Sequence, residues 1–332
     1  MNAKLCQDGG CVVDGVTVPP IRPDAGQVVI EPLSDGPGWW AGAPHVHYDE
    51  EDRRFYLYYR LRRPRGHEFE RGGEVHLAAG TDGVHFETIW RMLKTELSSD
   101  SIERGCLYRT PDGRWAMAFS YVDPADRRWR TDLMTSDRPD AFRAADRQPI
   151  FTAGDLGLEG VKDPFVFRRA DGYRMLLSIA RADGDASAQQ MHEGGDVYMT
   201  GLIRSATGLA ISDDGLNWQW QGEILGPPAT GWDAYCTRIN SVIPVGSGFV
   251  GFYDGSRDET ENFEERCGVC VSEDGRSWRR LTTDGPWVAW PHATGSMRYV
   301  NALQVDDRLY YHYEAARPDG SHELRVQIEP RP

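Results

Sequence analysis

Lysine is almost missing from this 332-residue chain, occurring only at Lys4, Lys94 and Lys162. With a formal net charge of −14, that scarcity argues against a nucleic-acid partner, because phosphates reward clusters of Lys and Arg. Long apolar runs are lacking too. No stretch approaches the roughly 18 residues of a membrane helix, so no membrane partner is expected. Met1 to Gly10 is polar and lacks the basic-then-apolar order of a secretory signal, and a cytoplasmic location is the expectation. Helical periodicity is nearly absent, while 36 glycines and 20 prolines suit a turn-rich β protein. Cysteine is sparse and scattered. Cys6 and Cys11 fall in the leader, and Cys267 and Cys270 form a CxxC inside the strand-like run CGVCVS. Residues three apart on a strand point to opposite faces, so no metal site is expected there and the thiols read as buried and free.

What the chain has in quantity is aromatic residues, with 11 Trp and 14 Tyr, and an internal repeat. LAAGTDGVHFETIW (77–90), LMTSDRPDAFRAA (133–145), LAISDDGLNWQWQ (209–221) and VCVSEDGRSWRRL (269–281) share a strand, a polar turn and a following aromatic. Asp-Gly suits a tight hairpin turn, across which the aromatic packs back. Upstream of each lies an apolar strand, a turn and an aromatic-rich strand: 43–61, 104–122, 163–180 and 238–255, with a fifth at 299–315 followed by HELRVQI. Each unit thus holds several strands, and the repeat predicts an all-β, five-bladed β-propeller of four-stranded blades over 39–332. The leader 1–38 is expected to pack on the propeller or close it. The polar, Gly-rich segment 181–206 reads as a loop over one face and a rim of the site.

In a propeller the innermost strands surround the axis. Aligning them by their apolar positions brings together Gly42-Ala43-Pro44-His45, Glu103-Arg104-Gly105-Cys106, Lys162-Asp163-Pro164-Phe165, Thr237-Arg238-Ile239-Asn240 and Arg298-Tyr299-Val300-Asn301. Charges recur where a strand ordinarily turns apolar, which marks a shared polar pocket. Lys162-Asp163-Pro164-Phe165-Val166-Phe167 resembles the basic-Asp-Pro motif in the third blade of the five-bladed glycosidase superfamily. That group spans arabinanases, xylosidases, invertases and levansucrases, with the related mannoside phosphorylases. The resemblance, carried along nearly the whole chain by the blade repeat, implies a glycoside hydrolase whose axial pocket takes a small or terminal sugar. It also implies that Asp163 binds sugar hydroxyls and tunes the acid. The chain departs from the family where that group keeps its other two carboxylates: Ala43 and Arg238 stand at the expected Asp and Glu. A glycoside phosphorylase, an enzyme of anionic sugars and a degenerate sugar-binding propeller therefore stay open.

Glycoside cleavage needs one protonated and one ionised carboxyl flanking the anomeric carbon. The catalytic candidates are Asp163 and Glu103 on adjacent blades, with Asp233 and Glu265; Asp254 is a substrate-binding candidate. Arg104, Lys162, Arg238 and Arg298 converge in the alignment and would favour an anionic ligand. Tyr299 lines the pocket, and Trp39-Trp40 could stack on a sugar ring. No cofactor is expected; His45, which shares a strand face with His47, is the position for an axial ion or water. His192 and His292 are further titratable candidates for a general acid.

Overall fold

The computed structural model describes residues 1–5, 10–194 and 196–332; Cys6 lies outside the described residues. The chain opens with a small antiparallel sheet of β1 (Ala3–Leu5), β2 (Cys11–Val13) and β3 (Val16–Val18). Its Cys11, Val13 and Val18 are buried with Val250, Val269, Leu309 and Tyr311, so the leader seals an apolar seam. Next comes β4 (Gln27–Ile30).

The remaining strands form antiparallel runs in chain order. The first run is β5 (Trp40–Asp49), β6 (Arg54–Arg63), β7 (Arg71–Gly80) and β8 (Glu87–Leu93). The second is β9 (Ile102–Arg109), β10 (Trp115–Val122), β11 (Trp129–Ser136) and β12 (Gln148–Phe151). The third is β13 (Gly160–Arg169), β14 (Gly172–Ala182), β15 (Ile203–Ser212) and β16 (Gln219–Leu225). The fourth is β17 (Cys236–Val245), β18 (Gly248–Ser256), β19 (Arg266–Ser272) and the short β20 (Arg279–Arg280). The last is β21 (Met297–Val305), β22 (Arg308–Ala316) and β23 (His322–Pro330), with β4 returning as its outer strand. Single parallel bridges tie the third strand of a run to the first of the next, at Trp129–Gly160, Ser205–Cys236 and Arg266–Met297. His322–Trp40 joins the last run to the first and closes the ring.

The sequence repeat has a local cause. In the turns after β7, β15 and β19, the side chains of Asp82, Asp214 and Asp274 each accept two backbone N–H bonds at 2.8–2.9 Å. The glycine that follows each Asp has a φ near +70°, where a side chain would be strained. The CxxC obeys strand parity: Cys267 packs on one face of β19 with Val269, and Cys270 on the other with Leu209 and Tyr253. Cys11, Cys106, Cys236, Cys267 and Cys270 are all buried and unbridged.

Each inner strand loses register near its start. The shifts fall between Gly42 and His45, between Lys162 and Phe165, between Ile239 and Ser241, between Arg298 and Asn301, and opposite Phe119–Tyr121 in β9. Ala43, Asp163 and Tyr299 sit in these bulges at φ of 51°, 55° and 53°. A bulge bends its strand and re-aims a side chain, and non-glycine residues in this region are strained. The positions aligned from sequence therefore share one backbone device.

Candidate active site

The starts of the inner strands carry a buried network of opposite charges, completed from the second strands. Arg238 lies across from Asp254, Arg298 from Glu314 and Gly42 from Arg60 in the strand register. Arg298 donates to Glu314 (2.7 and 2.9 Å) and to Glu265 (2.8 Å), while Arg238 pairs with Glu265 and stands 3.9 Å from Asp254. Glu314 also accepts the Ala43 N–H at 3.0 Å and meets His322 Nδ1 at 2.7 Å. A side chain at Gly42 would occupy the volume of that carboxyl, so glycine there admits Glu314. Arg60 ion-pairs with Glu103 and reaches Glu314 at 3.5 Å.

Asp163 differs from these carboxylates. It is 3% exposed, and neither oxygen has a hydrogen-bond partner. Its nearest cation is Lys162 Nζ at 3.3 Å, a contact without hydrogen-bond geometry, and the same nitrogen is 4.0 Å from Glu103. Asp163 and Glu103 thus share one ammonium, as neighbours across the axis. Lys162 is held over the rings of Trp129 and Tyr198 at 4.9 and 4.7 Å. Tyr299 directs its hydroxyl at Glu103 from 3.5 Å.

Burial disfavours charge throughout, and the partners decide the outcome. Burial raises Glu265, but Arg238 and Arg298 outweigh it and hold the carboxyl down to about 2. Glu314 is likewise held well below the usual range, by Arg298, His322 and Arg60 acting against burial. Asp254 goes the other way, to about 7: burial dominates, Arg238 opposes it and Glu265 adds to it. One Asp254 oxygen accepts the Tyr299 N–H at 2.9 Å, and the other has no partner.

Four sequence candidates need correction. Arg104 does not face a ligand: fully buried, it donates to Pro44 O (3.0 Å), Asn240 O (2.7 Å) and Asn301 Oδ1 (3.2 Å). It is a hub that ties inner strands together below the carboxylates. His45 lies past the bulge, near the other end of the axis, because a strand advances about 3.3 Å per residue. There it is 3.1 Å from Leu107 O and lines a cavity of about 400 Å³ with His47, Phe165 and Val242. Burial, then Arg104, holds this imidazole well below its usual range, so it is neutral. Asp233 is buried in a pair with Arg280 on the outer strand β20 (2.7 and 2.8 Å) and accepts the Tyr253 hydroxyl. It is a structural ion pair, drawn away from the axis. Trp39 packs edge-on against His67 at 5.0 Å, outside the charged network.

Trp40 does reach the site, though as a wall. Its ring stacks on His322 at 4.5 Å, with the guanidinium carbons of Arg62 and Arg298 at 4.6 and 5.0 Å. His192 is bound to Glu159 at 2.7 Å, and His292 is an exposed neighbour of Trp290. The expected loop 181–206 is shorter, 183–202, because its ends belong to β14 and β15; it delivers Tyr198 and Asp196, the latter accepting from Arg71 at 3.3 Å. Sequence reasoning missed Arg60, Arg62, Arg71, Glu314 and His322. A signal existed for three of them, since FYLYYRLRR and LYYHYEAA are apolar strands with charges in one phase. Inner strands alone do not build this site.

The chain matches no family model and no curated protein. Solved structures are similar over nearly its whole length. One named simply a glycoside hydrolase aligns with TM-score 0.68 at 14% identity, covering 92% of this chain and 91% of that one. A thermostable family-43 glycoside hydrolase gives TM-score 0.60 at 14% identity, over 87% and 89% of the two chains. The β-1,2-mannobiose phosphorylase of Listeria innocua, solved with β-1,2-mannobiose, gives TM-score 0.60 at 14% identity over 99% and 97%. The chain thus shares the β-propeller fold of these glycoside hydrolases and phosphorylases.

Proposed function

We propose that the chain is a five-bladed propeller enzyme that cleaves a small or terminal glycoside in its axial pocket, with Asp163 and Glu103 as the carboxyl pair. The observation that carries this reading is Asp163: a buried carboxyl on a strained backbone, beside the Lys162 ammonium, with neither oxygen in a hydrogen bond to the protein. Leaving a buried carboxyl unmet costs stability, so such a group suits a ligand hydroxyl or leaving oxygen that completes it. Asp163 then meets a ring hydroxyl or the leaving oxygen of the sugar. Glu103, ion-paired with Arg60, takes the charged role, as nucleophile or as base on a water.

Arg238 and Arg298 are occupied by Glu265 and Glu314, a fixed set of ion pairs beside the Asp163–Glu103 pair. Asp254 accepts the Tyr299 backbone N–H and so holds the bulge that aims Tyr299 at Glu103. Turnover of a panel of aryl glycosides, with and without inorganic phosphate, tests the reading. Release of aglycone in plain buffer means hydrolysis, release only with phosphate means phosphorolysis, and binding without release means a sugar-binding propeller. Asp163→Asn should remain folded and lose roughly a hundredfold or more in turnover. A folded Asp163→Asn with near-normal turnover would refute the assignment.

A further inference from the structure

The cations of the axial network are almost all matched. Arg60 has Glu103 and Glu314, Arg71 has Asp196, Lys162 has Asp163, Arg238 has Glu265, and Arg298 has Glu265 and Glu314. Arg104 is satisfied by carbonyl oxygens. Arg62 is the exception: among the described residues its side chain makes no ion pair and no hydrogen bond, though the residue is only 7% exposed. Its guanidinium packs against the rings of Trp40 and Phe263 at 4.6 and 4.3 Å. Those rings favour a cation but accept no N–H bond in the plane of the group. A fork of donors with narrow access to solvent is therefore unfilled.

Its position says what would fill it. Arg60 and Arg62 are two apart on β6 and share a face. Arg62, near the end of β6, lies opposite Trp40 at the start of β5, about 7 Å from Arg60 along the strand. That span is close to the breadth of one sugar ring, measured from the Glu103–Arg60 pair. Burial, then Arg60, Arg298 and Arg71, disfavours charge on Arg62 and brings its pKa down to about 9, with Asp196 opposing. It is still a cation at neutral pH, and an anion beside it would relieve that strain. A single guanidinium edge matches the two oxygens of a carboxylate. A phosphate dianion would need further free donors, and the neighbouring cations are already occupied by Glu103, Glu265, Glu314 and Asp196.

We propose that Arg62 recognises one carboxylate on the sugar, so that the axial pocket takes an acidic sugar of the hexuronate type. This rests on the reading of the axial pocket as a sugar site. Calorimetry with galacturonate and glucuronate, their methyl esters, the parent neutral hexoses and inorganic phosphate tests it on the intact chain. At least one free uronate should bind tenfold or more tighter than its own methyl ester, a comparison that needs no variant. Arg62→Gln should weaken that uronate by about ten- to a hundredfold and leave the ester unchanged, with Arg62→Lys in between. Equal affinity for acid and ester, no uronate binding, or equal losses for both in Arg62→Gln would overturn the proposal. Arg62-dependent binding of phosphate in place of uronate would overturn it as well. If Arg62-dependent uronate binding is found but no uronide is cleaved, the recognition stands and the catalytic reading fails. Cleavage of neutral glycosides untouched by Arg62→Gln is the opposite result.

Discussion

Gly42→Ala tests whether the buried charged network is as tightly packed as the geometry requires. A Cβ at position 42 would fall inside the carboxyl of Glu314. The backbone is held on one side, because Gly42 is paired with Arg60 of β6. Glu314 is fastened too, by Arg298 at 2.7 and 2.9 Å, His322 at 2.7 Å and the Ala43 N–H at 3.0 Å. Forcing a methyl into a packed core costs about 1–3 kcal/mol. Driving one partner out of a buried ion pair costs about 3–5 kcal/mol. The expected loss is about 3 kcal/mol, where the two ranges meet. Urea unfolding reads it as a lower midpoint at unchanged slope. Glu314→Ala removes the obstacle, so the double variant Gly42→Ala/Glu314→Ala should be no less stable than Glu314→Ala alone. A loss below about 0.5 kcal/mol in Gly42→Ala, or simple addition in the double variant, would refute the reasoning.

The paired carboxyls give a signed pH dependence. Glu265 and Glu314 have folded pKa values depressed below the unfolded one, so their contribution is present above about pH 4.5 and is lost as pH falls toward 2; denaturation between pH 5 and 3 should show this slope, reduced in Glu265→Gln. Asp254 has a raised folded pKa, about 7, so stability should decline as pH rises from about 4 to 7; an Asp254→Asn variant that keeps the same slope would contradict that. Asp233→Asn should cost about 1–3 kcal/mol through the Arg280 and Tyr253 contacts, yet leave turnover per folded molecule unchanged; selective loss of turnover would return Asp233 to the reaction.

How much of this was legible beforehand depended on the range of the physics involved. Turns, strand parity and the phase of charges are local. They were readable from Asp-Gly pairs, from alternation and from recurrences such as Lys162-Asp163 and Arg298-Tyr299, and they sufficed for an all-β propeller with a polar axis. The opposite faces of Cys267 and Cys270 followed in the same way. Which charge meets which is not local. Arg60 meets Glu314 across 254 residues, and Tyr299 meets Glu103 across 196. Arg104, Arg238 and Arg298 look alike in sequence, as arginines near the starts of three inner strands. Closure of the ring alone decided that carbonyl oxygens satisfy the first and carboxylates the other two. The same closure drew Asp233 outward to Arg280, left Arg62 without an acceptor, and left both Asp163 oxygens without a hydrogen-bond donor. A sequence shows where charges are placed, but a buried charge acts according to its partners, and those are set only when distant strands meet on one axis.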